Sequence, residues 1–398
     1  MTRVVAMDLS ACRVTIVGAG TGGAAAALLL ARAGARVTLL ERVAQPRAVG
    51  AGIAIAENGL AVLESLGLRA VADLGRPVAD PRITDASGRT LIAPPSPPRA
   101  VVIRRSTLYG ILLDALASES GVERRFGAEV VRANTDGTVV VREGAAESTL
   151  GAQLVIGADG VHSRIRENGA FGGRVRRSGL RYVRMLVEAD VATGTEAWTP
   201  AGVFGAFAVD GGTYAFASCG LPECRAALDA RDLAAFHAAW SRAYAPAGRI
   251  LAALRSFDDL LINEVLRVEC DRWSDGRLVL LGDAAHAMAP NLGQGANSAL
   301  VDAAVLLDEL RKASTLADGL AAYERRRRPA VRRVAAASAQ LGRMAEATNP
   351  AIRWMRDRIL MPIAMRFSSD RSIAMVMQEP SSRLLAIGQP GRSGGTVG

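Results

Sequence analysis

Residues 13–42 read RVTIVGAGTGGAAAALLLARAGARVTLLER: an apolar run, a glycine-rich turn, a strong helix former and a second apolar run ending in an acid. That order predicts strand, turn, helix, strand. Gly18, Gly20 and Gly23 supply G-x-G-x-x-G directly after the run Val14 to Val17. Gly18 permits the tight turn, Gly20 leaves bare backbone for a pyrophosphate, and Gly23 lets helix and strand pack closely. Phosphates then meet unpaired N–H groups at a helix N-terminus, where the dipole favours negative charge. Glu41, closing the second strand, is placed to accept hydrogen bonds from a ribose diol. The chain is expected to hold a dinucleotide.

A chain of 398 residues accommodates two packed domains, or one domain carrying a large insertion. The net charge of +9 is almost all arginine, since Lys312 is the only lysine. Its densest run, Arg325 to Arg328 with Arg332 and Arg333, carries no aromatics for base stacking. It reads as the solvated face of a long helix, and no nucleic-acid partner is expected. Cys12, Cys219, Cys224 and Cys270 show no paired spacing, and His162, His237 and His286 complete no ligand pattern, so no metal is expected. The longest uncharged run, Val14 to Ala31, is broken by four glycines and is not expected to span a membrane. The N-terminal residues lack an apolar signal stretch, which places the protein in the cytoplasm.

Beyond the first unit, Leu60, Leu63 and Leu66 predict a helix ending near Gly67. Residues 76–98 are proline-rich, with short β-like runs around Ile83 and Leu91, and read as an excursion from the nucleotide domain. Residues 105–118 return to a helix, and strands are expected near 128–133, 138–142 and 153–157. From 178 to 218 the pattern is β-rich, with Asp210-Gly211-Gly212 as a turn; a helix over roughly 230–244 and a strand at 260–269 follow. The expected organisation is α/β: a discontinuous Rossmann-like nucleotide domain (1–75, 99–175 and 270–345) with an inserted β-sheet substrate domain (76–98 and 176–269). Residues 346–398 form a helical segment and, after Arg383, a polar mobile tail.

Two further motifs separate the possible dinucleotides. GADGVHSRIR at 157–166 follows the apolar strand Leu154 to Ile156. RLVLLGDAAHAMAPNLGQGAN at 277–297 delivers Gly282-Asp283 to a turn, then a second glycine-rich loop, Gly293-Gln294-Gly295, that starts a helix. Asp283 can accept hydrogen bonds from polyol hydroxyls, and amides after Gly293 can face a carbonyl that becomes anionic on reduction. One acid for a ribose, another for a ribityl chain and a helix N-terminus at a redox ring describe FAD.

Together the three motifs resemble those of the class A FAD-dependent monooxygenases, related to p-hydroxybenzoate, salicylate and 6-hydroxynicotinate hydroxylases. The resemblance runs over roughly residues 12–345 and includes GAGI around Ala51 and Gly52, Arg105 with Leu108, and YERRRRPAV at 323–331. It implies a p-hydroxybenzoate hydroxylase-like fold in which Gly18, Gly20 and Gly23 cradle the pyrophosphate. Glu41, with Arg42 beside it, binds the adenosine ribose, Val130 lies beside the adenine, and Arg105 reaches the flavin or phosphates. Asp159 and Gly160 help hold FAD and serve the pyridine nucleotide. Asp283 holds the ribityl and pyrophosphate, while Pro290, Gly293, Gly295, Ala296 and Asn297 line the isoalloxazine. By the same resemblance NAD(P)H, a transient cosubstrate, reduces the flavin. O₂ then adds at C4a as a hydroperoxide that hydroxylates or epoxidises an aromatic or polyene-like small molecule.

Phe204, Tyr214 and Phe216 are expected as a substrate-pocket wall, closed opposite by Pro290. Residues 178–218 hold no histidine, and Tyr214 and Tyr182 are their candidate phenol partners, so strongly base-assisted phenol hydroxylation is not expected. His162, His237 and His286 are read as structural. A flavin halogenase would need a lysine near the flavin, and Lys312 follows the third motif's helix; no W-x-W-x-I-P occurs. A reductase or dehydrogenase of the same fold, and a nonredox protein with structural FAD, stay open, as do monomer and homodimer.

Overall fold

The computed structural model describes residues 7–45, 51–94, 96–366 and 370–388. Strand Arg13–Val17 sits inside a six-stranded sheet. Arg36–Glu41 and then Val122–Phe126 lie on one side of it, Leu154–Gly157, Leu278–Leu280 and Ser274–Asp275 on the other. All pairs are parallel except the short Ser274–Asp275 edge. The in-register pairs Val14 with Leu154 and Val155 with Leu278 bring the ends of all three motif strands to one side of the sheet. This is the carboxyl edge of a doubly wound sheet, where such folds hold ligands. Helix Thr21–Arg32, alanine- and leucine-rich, is buried along its length and packs against Gly295–Lys312.

The second large sheet has seven strands, in the order Leu261–Glu269, Arg174–Val187, Gly212–Ser218, Gly202–Val209, Glu196–Thr199, Ile83–Asp85 and Thr90–Ile92. The proline-rich stretch contributes its last two strands, while Arg76–Pro77 pairs with Ala100–Arg104 in a separate three-stranded sheet. One face of the seven-stranded sheet packs on helices Pro222–Asp229, Leu233–Ala243 and Ala245–Leu251, with Phe236, Trp240 and Ile250 fully buried. The single helix expected at 230–244 is thus one of three, because Pro222 and Pro246 each open a new helix. Strands Val122–Phe126 and Ala146–Gly151 went unanticipated: three consecutive charged residues, Glu123, Arg124 and Arg125, fill the middle of the first, and the second is mostly exposed.

Two expectations about the C-terminal part are corrected. The segment after Arg383 is not simply a polar tail: Ser381–Ile387 is a helix whose Leu384 and Ile387 are buried in the nucleotide-domain core. Arg311 donates to the Ile387 carbonyl at 2.7 Å, closing its C-terminal end. Residues 389–398 lie outside the described residues. The arginine run is likewise not a uniformly solvated face. Arg326 pairs with Asp308, Glu309 and Glu379, and Arg327 is wholly buried on Asp302 at 2.7 Å. The helix Leu316–Ala345 carries both signs of contact because its run faces helix Gly295–Lys312 on one side and residues 378–379 on another.

Asp302 joins four elements. One carboxylate oxygen accepts from the Gly282 amide at 3.0 Å and meets His286 Nε2 at 2.5 Å; the other accepts from Arg327. Burial alone would raise its pKa, but His286 and Arg327 outweigh it and hold the pKa at about 2. Because the folded-state value is depressed, this contribution to stability is complete above the ordinary aspartate range and disappears as pH falls towards 2. Arg327→Met strands a buried carboxylate and is expected to cost about 3–5 kcal/mol, read as a lowered denaturation midpoint; an unshifted midpoint would refute the hub.

Candidate cofactor and substrate site

The three glycines of the first motif are needed for three different reasons. Gly18 has φ +99°, a left-handed conformation, and a Cβ there would lie 2.5 Å from the Ala158 carbonyl oxygen. At Gly23 a Cβ would fall 1.9 Å from the Gly18 carbonyl oxygen. Gly20 has an ordinary extended backbone (φ −64°), and a Cβ there would meet nothing within 4 Å. Neither backbone strain nor packing demands glycine at 20. What its missing side chain keeps clear is the cavity in front of helix Thr21–Arg32, whose N-terminus has no side-chain cap.

Two adjoining cavities share Gly20, Ala158 and Gly160. The smaller, about 290 Å³, is lined by Gly18, Glu41, Arg42, Val130 and Asp159, with His162 at its side. Glu41 stands at the strand end as anticipated, one carboxylate oxygen accepting from the Ala19 amide at 2.9 Å and the other from Val43 at 3.1 Å. It therefore braces the glycine turn as well as facing the cavity. Asp159 spends Oδ2 on the Arg164 and Ile165 amides, at 2.7 and 3.2 Å. Its Oδ1 is buried with no partner, and burial pushes the carboxyl pKa up. An orphaned acceptor and a glycine cradle at one spot suit a polyphosphate-and-ribose ligand. Arg166 ties this motif to the third, donating to the Ala284 and Val161 carbonyls at 2.8 and 2.7 Å.

The larger cavity, about 800 Å³, runs from Gly20 past Asp283 and the second glycine loop to the seven-stranded sheet. Asp283 opens into it at the start of a short helix, after Gly282 in a left-handed conformation. Pro290, Gly293, Gly295 and Ala296 form its wall, and helix Gly295–Lys312 begins there without a side-chain cap. Asn297 also lies at the wall, but its side chain is occupied. It accepts from the Ala56 amide at 3.0 Å and donates to the Ala54 and Gly293 carbonyls, clamping strand Gly52–Ala56 to the loop. Arg105 lines the cavity with its side chain open to it; the surrounding protein and neighbouring Arg184 lower its pKa while Tyr214 and Asp283 oppose the shift.

On the sheet side, Tyr214 and Phe216 line the cavity, their rings 5.9 Å apart. Gly52 lies flat on Tyr214: a Cβ would fall 2.4 Å from its Cγ, which accounts for glycine in the GAGI stretch. Phe204 is the exception among the expected wall residues. It points to the opposite face, packed on Trp240 and Tyr244 at 5.2 and 5.8 Å. Strand alternation decides this. Phe207 pairs with Tyr214 across the ladder and takes the wall position, 6.2 Å from Phe216.

Tyr182, expected as a candidate phenol partner, also lines the cavity and accepts from Asn291 at 2.8 Å. Arg184, which donates to Asn263 at 3.0 Å, and Glu196, on strand Glu196–Thr199, were not anticipated. Ile373, Val376 and Met377 close the cavity from the C-terminal segment. Tyr182 and Tyr214 alternate with buried apolar residues, a signal available in sequence; the C-terminal wall has none. His286 and His237 are structural, His286 on Asp302 and His237 3.0 Å from the Gly248 carbonyl.

Comparison with known proteins identifies the family. Residues 11–338 match the FAD binding domain family. The chain is 32% identical over 348 residues to the 2-heptyl-3-hydroxy-4(1H)-quinolone synthase of Mycobacteroides abscessus, covering 81% of this chain and 88% of that protein. It is 33% identical to a 3-amino-4-hydroxybenzoate 2-monooxygenase of Streptomyces platensis, covering 89% and 93%. Among solved structures it resembles Klebsiella pneumoniae HpxO complexed with FAD and uric acid, with TM-score 0.74, 25% identity, and coverage of 96% and 98%. With a matching family model over most of its length and monooxygenases among its relatives, this chain belongs to the class A FAD-dependent monooxygenases of the FAD binding domain family.

Proposed function

We propose that the chain hydroxylates a flat aromatic or heteroaromatic small molecule bearing apolar surface, using O₂ and NAD(P)H, with FAD extended through both cavities. The observation that carries this reading is that the two cavities adjoin at Gly20, Ala158 and Gly160. The smaller holds Gly18, Glu41 and Asp159, and the larger holds Asp283 and the aromatic wall on the second sheet. In this reading Gly18, Gly20, Gly23 and the amides of helix Thr21–Arg32 receive the pyrophosphate. Glu41 and Arg42 meet the adenosine half beside Val130, Asp159 and Asp283 take hydroxyls or phosphate-bound donors, and Arg105 adds positive charge. Bound FAD supplies reducing equivalents from NAD(P)H and activates oxygen. Helix Gly295–Lys312 presents its N-terminal amides where negative charge would collect on the reduced ring. Tyr214, Phe216 and Phe207 stack a flat substrate and exclude water.

The names of the relatives above carry aromatic or heteroaromatic ring compounds (a quinolone, an aminohydroxybenzoate and, in a solved complex, uric acid), which supports the substrate class. The four cysteines are buried and unpaired, which fits a reducing cytoplasm. No helix among the described residues is long and apolar enough to cross a membrane.

The deciding assay pairs NADPH consumption with O₂ uptake and mass gain of a single oxygen atom in the product. NADPH oxidation indifferent to O₂ would favour a reductase of the same fold. Gly20→Val is expected to leave the apoprotein's denaturation midpoint unchanged while abolishing FAD retention; a destabilised apoprotein would mean the glycine serves packing. Asp283→Ala is expected to purify largely colourless, and full yellow colour would count against its role. For Glu41→Ala, flavin titration should show affinity lower by about 1–3 kcal/mol, and an unchanged titration would place the ribose elsewhere.

A further inference from the structure

Glu196 is a carboxylate with too few partners. It lies on strand Glu196–Thr199, opposite Gly205 in the ladder and beside Ile83, and it faces the large cavity. Its Oε1 accepts from Trp198 Nε1 at 2.8 Å. No cation pairs with it, and no second donor reaches it, among the described residues. The Phe216 ring lies over Gly205, since a Cβ on that glycine would fall 2.4 Å from Phe216 Cζ, so the acid stands at the edge of an apolar wall. Burial pushes its pKa up to about 7; Trp198 pulls the other way, and the nearby Glu346 carboxylate adds to the rise. The Glu346 carboxyl oxygens are buried without a hydrogen-bond partner, with Tyr182 and Ser218 nearby, and burial raises that pKa as well.

An isolated carboxylate in an apolar cavity is costly, and a fold keeps one when a ligand supplies what is missing. The missing element is a hydrogen-bond donor in the plane of the aromatic wall. An anionic group is disfavoured at this end by two carboxylates, whereas Arg105 and Arg184 stand beside the Tyr214 hydroxyl farther along. We infer that Glu196 is a specificity-determining residue that receives the ring N–H of an uncharged, lactam-type heteroaromatic substrate. A hydrogen bond from ring nitrogen to a carboxylate also pushes electron density into the ring, which favours attack on an electrophilic oxygen. This assignment rests on the monooxygenase reading and narrows its substrate class.

The test uses the FAD-loaded enzyme and two probes, 2-heptyl-4(1H)-quinolone and its N-methyl derivative, titrated by the change in flavin absorbance. The wild-type protein should bind the N–H probe roughly ten- to hundredfold more tightly, the usual worth of a hydrogen bond to a charged group. In Glu196→Gln the amide oxygen can keep the Trp198 bond and turn an NH₂ donor towards the cavity. The variant is expected to lose the N–H preference while binding the N-methyl probe as before, with a denaturation midpoint equal to or above wild type. A structural role would instead lower the midpoint and weaken both probes alike. Absence of binding of the N–H probe, equal binding of the two probes by wild type, or an unchanged preference in Glu196→Gln would overturn the assignment. NADPH oxidation by the same preparation separates the two levels. A flavin-loaded, NADPH-oxidising enzyme without the preference defeats the Glu196 assignment alone, and a protein that takes up no FAD defeats the reading beneath it as well.

Discussion

The buried Asp302 carboxylate is the point on which the site's construction depends. It takes the Gly282 amide, His286 and Arg327 at once, and Arg327 passes the connection to Gln378 at 2.7 Å. Gln378 in turn donates to Ser298 and Gln294 at the start of helix Gly295–Lys312, and Asn58 donates to Gln294 and to the Met377 carbonyl. The turn that presents Asp283, the second glycine loop and the C-terminal wall are therefore one hydrogen-bonded unit. In a low-dielectric interior each partner lost would leave another buried group unsatisfied, so the network holds its geometry cooperatively. Gln378 adopts φ +68°, a conformation rare for its residue type, and its three side-chain partners show what sustains it.

The cavity is graded along its length. At the nucleotide end its chemistry is polar: a glycine cradle, a helix N-terminus, Glu41, and Asp159 with Oδ1 buried and without a partner. Past the second glycine loop it becomes aromatic, with Tyr214, Phe216 and Phe207 on one side and Ile373, Val376 and Met377 on another. Such a gradient suits a polar cofactor whose redox ring ends against an apolar chamber, where excluded water protects reactive oxygen species from wasteful breakdown. Among the polar groups of that chamber Arg184, Arg82 and Tyr182 have partners, whereas the Glu196 carboxyl holds a single hydrogen bond from Trp198, and so sparse a pairing invites a functional cause.

Much of the nucleotide half was legible because its constraints are local. Gly18, Gly20 and Gly23 act within a few residues of one another, and the strand-turn-helix spacing that holds them is a property of the backbone alone. The aromatic wall was half legible. Tyr214 and Phe216 lie on one face, at the cavity, but Phe204 was expected on that face too, and the pairing of Phe207 with Tyr214 puts it on the other. Alternation within a strand says which residues travel together; only cross-strand register says which side they take. Arg327 and Arg326 look like solvated charges in sequence, and only Asp302 and Glu379, far along the chain, bury them.

Composition, the three glycine motifs and their acids determined that this chain builds a doubly wound sheet around a dinucleotide, since tight turns and helix starts are written in neighbouring residues. Tertiary structure alone decided that the C-terminal segment closes the cavity, that Asp302 binds the motifs together, and that Glu196 faces the chamber. Those outcomes depend on contacts between residues tens to hundreds of positions apart, where burial and pairing are set by the whole packed chain.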